Sequence, residues 1–468
     1  MSNDTRRWLD ERFRDRPDAG AGEGDISVAW HRWRTLKLAE TAEWAAAESP
    51  WYRRLLRDVD VPALAAELRT IARDNDPRRA ADLLDALPFT TQADLAADSN
   101  AFLAVGQGEV EGLVSVPTSG TSGPVKRIGS TEGDQGETVA FFKYGMRFLV
   151  APGRDRVALA MSPARPGNVG DLLGRALARW GIPFLAHGFV PAEAGEAGRW
   201  LDELRAWGPT CLVGVPPQML ALSRHEKSGL RLKTMLLSGD AADGPLVAEL
   251  ERNFPGCRVF RHYGLTETGL GGAVECGQRA QPHLRDDLWA EIIDQRGRPV
   301  EEGREGEIVL TPLTRRGLPL LRYRTGDEGA LLPGPCPCGS VMPRLKVLGR
   351  LDDRIITPSG RALRVADLEA PLLGLPFVRD FAPRLHSGSP GGLCLLLTLT
   401  GDAPNGAPRL AAEALRRRLG PALAGLPLAV LAAEPGPAPP ASGGKRRLSK
   451  TDAPLPTAFD GHCRTDVS

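Results

Sequence analysis

The segment PTSGTSGPVKR, residues 117–127, combines glycines, hydroxyl side chains and a lysine. A loop of this composition gains little from burial, so its residue types need another explanation. Backbone N–H groups, hydroxyls and an ammonium can together surround a polyphosphate. Gly and Ser are also typical of a flexible surface linker, so the segment alone leaves both interpretations open. The rest of the chain decides between them.

The totals of the sequence limit the classes of protein to consider. A chain of 468 residues is too long for one ordinary core, so we expect two or more domains. The 59 basic and 58 acidic residues leave a net charge of +1, which argues against a nucleic-acid partner. The sequence has no apolar window of the roughly 18 residues that a transmembrane helix needs, so we expect no membrane partner.

The cysteines and the first residues indicate a compartment. The seven cysteines are an odd number and thinly spread, unlike a disulfide framework. Residues 1–20 alternate acids with arginines and lack the apolar core of a secretory signal. We therefore predict a cytoplasmic protein in which clustered thiols serve as metal ligands.

Hydrophobic patterns predict an α/β fold. Strands and helices alternate over residues 155–264, which predicts mainly parallel α/β sheets that bind ligands at the carboxyl ends of their strands. Residues 288–327 turn to β without helices, which predicts a β-rich subdomain. We expect a flexible segment at 1–27, a large N-terminal domain at 28–350 and a small mobile α+β domain at 351–468.

Further segments resemble signatures of one enzyme family. Together with residues 117–127, in this order, they resemble the adenylate-forming superfamily: RHYGLTETG at 261–269, RYRTGD at 322–327, GRLDDRI at 349–355 and SGGKRRLSK at 442–450. One departure is Pro124-Val125, where the family has x-Pro. The closer resemblance is to phenylacetate–coenzyme A ligases and the related deazaflavin-cofactor adenylating synthetases, and it is carried by SPWYRR at 49–54, LPFTTQADL at 87–95 and CPCGSVMPRLKVLGRLDD at 336–353. Gln92 stands where lysine is usual.

The resemblance covers about Ser49 to Lys450 and implies an activity. The large domain would be an AMP-binding (adenylation) domain, and the enzyme would use ATP to convert a carboxylic acid to an acyl-adenylate, releasing pyrophosphate. Coenzyme A, the co-substrate, would then take the acyl group and release AMP. One alternative is nucleotidyl transfer without a thioester, as in the deazaflavin-cofactor relatives. Another is a non-catalytic nucleotide- or acyl-binding protein.

The resemblance also assigns nucleotide-binding residues. Those of the Gly-rich loop would contact the β- and γ-phosphates: Thr118, Ser119, Gly120, Thr121, Ser122, Gly123 and Lys126. Thr266 would donate to the α-phosphate, and Glu267 would hold a magnesium ion, which prefers carboxylate and phosphate oxygens. Asp327 would accept from both ribose hydroxyls, with Arg350 near the same sugar. The adenine would lie between two segments: His262-Tyr263-Gly264 and Ser238-Gly239-Asp240.

A second group of assignments concerns the small domain. Lys445 would enter the site during adenylation and contact the carboxylate and the α-phosphate, with Lys450 as the less favoured candidate. Asp352 would be the hinge about which the small domain turns to admit the thiol. Ile356 occupies a position where some family members carry a second lysine, so thioester formation has less support than adenylation. A basic surface run is the alternative for Lys445.

Cysteine and histidine residues suggest a metal site. Cys336 and Cys338 form a Cys-Pro-Cys-Gly turn, and Cys276 and His283 lie upstream. Three thiolates and one imidazole form a standard tetrahedral set for structural zinc. Free thiols with an unrelated histidine are the alternative.

The acid is the least determined part of the prediction. Phe142, Tyr144 and Met146 could form an apolar cavity for an aryl acid, although an aromatic helix face is more often plain core. A homodimer is expected only as the commonest oligomer.

Overall fold

The computed structural model describes residues 8–19, 25–117, 125–161, 165–191, 194–224, 229–242, 244–433 and 446–456. The chain forms two compact units. The first comprises Met1–Arg154, Ala164–Phe184 and Arg261–Val347; the second comprises Asp155–Pro163, Leu185–Phe260 and Leu348–Ser468. The predicted boundaries at 28 and 351 stay predictions.

The helices and strands follow in chain order. The helices are α1 (Trp8–Arg14), α2 (Ile26–Glu48), α3 (Pro50–Leu55), α4 (Val61–Asp74), α5 (Pro77–Leu83), α6 (Gln92–Ala97), α7 (Glu132–Gly145), α8 (Val169–Ala178), α9 (Ala194–Trp207), α10 (Pro216–Arg224), α11 (Gly244–Asn253), α12 (Val365–Leu373) and α13 (Ala407–Leu423). The strands are β1 (Gly112–Pro117), β2 (Val125–Ser130), β3 (Val157–Ala160), β4 (Phe184–Ala186), β5 (Cys211–Gly214), β6 (Thr234–Leu237), β7 (Arg258–Tyr263), β8 (Ala273–Val274), β9 (His283–Leu284), β10 (Leu288–Ile293), β11 (Gly306–Pro312), β12 (Tyr323–Leu332), β13 (Arg344–Arg350), β14 (Arg354–Ile356), β15 (Ala362–Arg364), β16 (Val378–His386), β17 (Gly392–Leu399), β18 (Leu428–Ala432) and β19 (Ser449–Thr451).

Helices with capped ends open the first unit. The side chain of Asp25 accepts from Ser27 N and starts α2, whose buried face includes Trp30 and Leu38. Thr91 and Asp94 form the reciprocal capping box that starts α6. These caps satisfy backbone N–H groups that a helix start would otherwise leave without partners.

Strands of the first unit carry the β-rich pattern. They lie in the order β10-β11-β12-β13-β9-β8, and β8 pairs antiparallel with the end of β7. The predicted β-rich region therefore contains an antiparallel meander, because β10, β11 and β12 are successive antiparallel neighbours. A separate hairpin, β1 with β2, flanks the Gly-rich segment, and its register pairs Val116 with Lys126. The sequence analysis did not predict this hairpin.

The second unit has an α/β part and a four-stranded sheet. Strands β3, β5 and β6 are parallel neighbours, with Val157 opposite Cys211 and Cys211 opposite Thr234. The other sheet has the order β18-β17-β16-β19, where β19 is parallel to β16. One apolar cluster includes Leu212 and Leu250 with Leu368 and Leu395. The predicted α/β class is confirmed.

The N-terminal segment contains a helix that the sequence analysis treated as flexible. In α1, Leu9 and Phe13 are fully buried, and Arg12 pairs with Asp286. Burial and the nearby charge of Arg16 together lower the pKa of Arg12 to about 9, against the opposing effect of Asp287. Some of the acidic and basic residues that alternate in this segment, Asp10 and Arg12 among them, are therefore buried. Within the described part of the chain, no helix is both long and apolar enough to span a membrane.

Candidate nucleotide and metal sites

A buried ion pair joins the Gly-rich segment to the Tyr-Gly-x-Thr-Glu segment in the first unit. Lys126 lies on β2 directly after the Gly-rich loop, and its Nζ contacts Glu267 Oε1. The two residues are 3% and 5% exposed. A buried charge needs a partner of opposite sign, and each of these residues supplies that partner to the other.

The surroundings of Glu267 favour its carboxylate form. Burial acts to raise its pKa, but the charge and hydrogen bond of Lys126 and a hydrogen bond from Tyr323 outweigh burial and leave the pKa below its ordinary value. The Tyr323 hydroxyl donates to Glu267 Oε1 at 3.2 Å. An ionised carboxylate at this point is what a magnesium ion requires as a ligand.

A tight turn presents Thr266 and Glu267. The N–H of Leu270 donates to the carbonyl of Leu265 at 2.7 Å and closes the turn. A Cβ at Gly264 would lie 1.9 Å from the Leu270 carbonyl oxygen, so only glycine fits there. The turn itself therefore requires glycine at position 264, which is also one of the residues predicted to lie beside the adenine.

The proposed ribose residue lies beside the proposed adenine residue. Tyr263 ends β7, and its hydroxyl donates to Asp327 Oδ2 at 2.9 Å. Asp327 lies on β12, the strand that also carries Tyr323, and is 5% exposed. Strand β12 thus links two contacts into one set of neighbouring residues: Asp327 contacts Tyr263, and Tyr323 contacts Glu267 of the ion pair with Lys126.

Gln92 is a member of this set that the sequence assignments omitted. Its Oε1 accepts from Lys126 Nζ at 3.3 Å, and its Nε2 donates to the Thr325 carbonyl at 2.5 Å. The sequence did mark this position, since Gln92 stands where the family usually has lysine in the segment LPFTTQADL, residues 87–95. A neutral amide at this position accepts from Lys126, whereas a second ammonium would repel it.

His262 is buried beside aromatic rings. Its ring centroid lies 6.0 Å from that of Phe141 and 6.2 Å from that of Phe142. Burial, together with the nearby charge of Arg285, lowers the pKa of His262 to about 4. His262 is therefore neutral at pH 7 and carries no charge for a phosphate.

The second unit holds the remaining described nucleotide candidates. Ser238, Gly239 and Asp240 follow β6, at the carboxyl end of a parallel strand where α/β sheets bind ligands. Gly239 has φ +89°, a conformation that favours glycine. Asp240 Oδ2 accepts from the backbone N–H of Arg446 at 2.9 Å. Arg350, at the end of β13, lines the same small cavity as Asp240.

The predicted hinge lies in a short helical turn at Leu351–Asp353. Its neighbour Asp353 accepts from Arg447 at 2.9 Å and from Leu448 N at 3.0 Å. Arg446, 7% exposed, pairs with Glu369 and with Asp380, the latter at 2.6 Å. The chain directly after Lys445 is therefore held by carboxylates, a feature that no local sequence pattern indicated.

Two sets of candidates fall outside the described residues. They are the loop residues Thr118, Ser119, Gly120, Thr121, Ser122 and Gly123, and the mobile-lysine candidate Lys445. Lys450 is described on β19 and is exposed. Ile356 is 64% exposed.

The cysteine–histidine cluster is assembled in the first unit. Cys276 follows β8, His283 begins β9, and Cys336 and Cys338 lie in the turn after β12. The Sγ atoms of Cys276 and Cys336 are 3.8 Å apart, and Cys338 Sγ lies 3.5 Å from His283 Nε2. All four potential ligand atoms lie within 4.8 Å of one another, and all four residues are buried.

These distances fit a tetrahedral zinc ion. Zn–S bonds of about 2.3 Å and a Zn–N bond of about 2.0 Å place neighbouring ligand atoms about 3.5–3.8 Å apart. His283 Nδ1 lies 2.8 Å from the Met342 carbonyl, which sets the tautomer that leaves Nε2 for a metal. A hydrogen bond from Cys338 lowers the pKa of Cys276 although burial opposes it, which favours the thiolate form that zinc binds. The hydrogen bond with Cys276 and burial raise the pKa of Cys338.

Comparison with known proteins finds relatives along most of the chain. Residues 57–312 match the family model of the AMP-binding enzymes. A phenylacetate–coenzyme A ligase of Thermus thermophilus is 29% identical over 70% of this chain and 72% of its own length. A phenylacetate–coenzyme A ligase of Escherichia coli is 27% identical over 69% of this chain and 71% of its own.

Solved structures share the fold. A 2-hydroxyisobutyryl-CoA ligase in the postadenylation state has a TM-score of 0.73 at 18% identity, covering 90% of this chain and 89% of its own. An anthranilate CoA ligase has a TM-score of 0.50 at 17% identity, covering 84% and 74%. Because the family model spans more than half of the chain, the protein belongs to the AMP-binding enzyme family, as its sequence segments predicted.

Proposed function

We propose that this protein is an AMP-forming acid–thiol ligase, which activates a carboxylic acid with ATP and passes the acyl group to coenzyme A. One observation carries the proposal: in the first unit Lys126 contacts Glu267 and Tyr263 contacts Asp327, so three separate segments meet, and Tyr323, on the same strand as Asp327, also donates to Glu267. A cation, a metal-binding carboxylate, an aromatic ring and a ribose acceptor are the groups that an ATP site needs. The ligase names of the relatives agree with this use.

The first step is attack of a carboxylate oxygen on the α-phosphorus of ATP. That oxygen forms a new bond to the α-phosphorus. At the same time the bond between the α-phosphorus and the oxygen it shares with the β-phosphorus breaks, and pyrophosphate leaves. The protein's part is to align the groups and to balance charge. Asp327 would accept from the ribose hydroxyls, Tyr263 would flank the base, and Thr266 would donate to the α-phosphate.

The Lys126–Glu267 pair would separate when ATP binds. Without nucleotide, the two charges neutralise each other in a buried position. With nucleotide, Lys126 would turn toward a phosphate oxygen and Glu267 would become a ligand of magnesium. Magnesium, when bound, offsets negative charge on the phosphates. Both buried charges would keep a partner of opposite sign, so the exchange avoids an uncompensated charge.

In the second step the thiol of coenzyme A attacks the acyl carbon, and AMP leaves with the oxygen that joined it to the acyl group. Lys445 acts in the first step and Asp352 as the hinge between the two, in the roles that the sequence assigned. Ile356 is exposed and stands where some family members carry a second lysine. This favours the alternative of nucleotidyl transfer without a thioester, in which the adenylylated acceptor is the final product.

We further propose that Cys276, His283, Cys336 and Cys338 hold a structural zinc ion. It would join the end of the Tyr-Gly-x-Thr-Glu segment to the turn after β12, and thereby fix the strand that carries Asp327. A homodimer, a cytoplasmic location and an aryl acid stay predictions. Of the residues suggested for an aryl pocket, Phe142 and Met146 are buried, and the Tyr144 hydroxyl donates to Asp15.

The test is pyrophosphate release from MgATP with a panel of small aryl and aliphatic acids, with and without coenzyme A. Release that depends on the acid and yields acyl-CoA is the expected result. Glu267→Gln should lower the rate by at least about a hundredfold, the scale for loss of one charge-stabilising group. Glu305→Gln, which removes an exposed carboxylate paired with Lys346, should leave it unchanged. Equal rates from both variants would contradict the proposal, and acid-dependent release without thiol consumption would favour the adenylyl-transfer alternative.

A further inference from the structure

A small cavity in the first unit lies beside Thr266. It has a volume of about 20 Å³ and lies between the hairpin β1–β2, the start of α7 and the turn at Thr266–Leu270. Thr266 is the residue assigned to the α-phosphate, so the cavity adjoins the position where the carboxylate would react. A chain attached to that carboxylate would enter this cavity.

The lining of this cavity is unusually polar for its degree of burial. Gln135, Thr138 and Arg315 are 3%, 2% and 5% exposed, and they line it together with the half-buried Ser130. Apolar walls come from Ile128 and Leu172. Buried polar side chains normally find partners within the protein, so any group left without one marks a place for a ligand.

Arg315 has such a group. Its Nη2 donates to the Gly129 carbonyl at 2.9 Å, but its Nε is buried and has no hydrogen-bond partner among the described residues. A Cβ at Gly269 would lie 3.0 Å from Arg315 Nη1 and 3.3 Å from Thr138 Oγ1, so glycine at this turn makes room for both side chains. Leaving a buried charged donor without a partner costs free energy, and a substrate acceptor would recover it.

The same wall offers acceptors. Thr138 Oγ1 donates to the Gly269 carbonyl at 2.8 Å, which leaves its oxygen lone pairs to accept. Ser130 Oγ receives only a long hydrogen bond, 3.3 Å, from Gln135 Nε2. A hydroxyl group both accepts and donates, so it matches a wall that presents one donor and two acceptors.

A second carboxylate fits this wall less well than a hydroxyl. Asp134 also lines the cavity, and its carboxylate accepts from Thr131 N, Arg316 N and Gly317 N at 2.8–3.0 Å. Its negative charge offsets that of Arg315. The cavity therefore presents hydrogen-bonding groups without a net positive charge.

Size argues against a bare aromatic ring. A cavity of about 150 Å³ holds a benzene molecule, whereas one water needs about 10–15 Å³. The present cavity of about 20 Å³ suits a group of one or two heavy atoms. Its far wall is closely packed, because a Cβ at Gly112 would lie 2.5 Å from Gln135 Nε2.

From this lining we infer that the enzyme selects a small carboxylic acid that carries a hydroxyl group, with Arg315 and Thr138 as the residues that determine this specificity. The inference rests on the proposed function, since it takes Thr266 to mark the reacting end of the acid. Arg315 Nε would donate to the substrate hydroxyl oxygen, and Thr138 or Ser130 would accept its hydrogen.

The test compares each hydroxy acid with its deoxy parent in the pyrophosphate-release assay: lactate with propionate, 2-hydroxybutyrate with butyrate, and mandelate with phenylacetate. A hydrogen bond from a charged donor corresponds to about tenfold to a hundredfold in kcat/KM. We therefore expect the small hydroxy acids to exceed their parents by at least about tenfold. Equal values, or a preference for phenylacetate, would overturn the inference while leaving the proposed function intact. Absence of release with every acid would overturn both.

Two variants assign the effect to residues. Arg315→Lys keeps the positive charge but removes Nε, and Thr138→Val replaces the hydroxyl by a methyl group. Each should reduce the preference for the hydroxy acid at least about fivefold, while kcat/KM for the deoxy acid changes less than about threefold. An unchanged preference in both variants would overturn the residue assignment. If either variant fails to fold, shown by loss of its unfolding transition, the comparison of acids by the unaltered protein still decides the inference.

Discussion

Replacing Lys126 by methionine should leave Glu267 buried without its counter-charge. Lys126 is 3% exposed and Glu267 5%, so water cannot substitute for the lost ammonium. Breaking a buried pair by removing one partner costs about 3–5 kcal/mol. Tyr323 still donates to Glu267 at 3.2 Å, so we expect the lower end, about 3 kcal/mol at pH 7.5.

The same variant should reverse the dependence of stability on pH. In the unaltered protein the pKa of Glu267 lies below its ordinary value, so this residue stabilises the fold above the unfolded pKa of about 4.3. That contribution is lost as pH falls through the lower folded pKa. Without Lys126, burial dominates and raises the pKa of Glu267. Stability should then increase as pH falls from 7.5 toward 5, because protonation removes the buried charge.

Urea unfolding followed by tryptophan fluorescence at pH 7.5 and pH 5 measures both effects, since Trp30 and Trp289 are buried in the first unit. The matched control is Lys346→Met, which removes an exposed partner of Glu305 and should cost less than about 1 kcal/mol. The double variant Lys126→Met with Glu267→Gln should recover at least about half of the loss, because it buries no charge. A loss below about 1 kcal/mol for Lys126→Met, or the same pH dependence as the unaltered protein, would refute this reasoning.

Three further predictions concern other contacts. Purified protein should contain about one zinc ion per chain, and Cys276→Ser should lower both the zinc content and the urea midpoint of unfolding. The control Cys257→Ser, outside the cluster, should keep the zinc, and folded protein without zinc would contradict the assignment. Tyr263→Phe removes the hydroxyl that donates to Asp327, so KM for ATP should rise about threefold to tenfold in the pyrophosphate assay with little change in kcat. An unchanged KM would contradict the assignment of these two residues to nucleotide binding. Arg446→Met leaves Glu369 and Asp380 without their buried cation, so it should destabilise the protein by about 3 kcal/mol or more in urea unfolding. The control Arg409→Met, on the exposed face of α13, should not destabilise it, and equal effects of the two variants would contradict a structural role for Arg446.

Much of the fold followed from local patterns. The alternation of strands and helices over residues 155–264 is a local pattern, and it was predicted. The hairpin β1–β2 was missed because polar Lys126 and Arg127 interrupt its pattern, and the burial of Lys126 is explained only by its contact with Glu267, far along the chain. Helix α1 was missed for the same reason, since the partner of Arg12 is Asp286.

The candidate site was predictable as a set of segments but not as a set of contacts. The motifs pointed to Lys126 and Glu267 separately, and nothing local indicates that they form an ion pair over 141 positions of the chain. Arg446 looked like part of a solvated basic run, because the carboxylates that neutralise it, Glu369 and Asp380, lie in other elements. The polar cavity was also invisible in the sequence, since α7 shows Gln135 and Thr138 beside the apolar residues that were proposed for substrate.

The most direct test of the central claim follows the oxygen atoms of the acid. The protein is incubated with MgATP, coenzyme A and a carboxylic acid labelled with oxygen-18 in its carboxylate, and the AMP is analysed by mass spectrometry. If a carboxylate oxygen attacks the α-phosphorus, the released AMP carries one labelled oxygen. Unlabelled AMP, or label found in inorganic phosphate alongside ADP, would contradict the account.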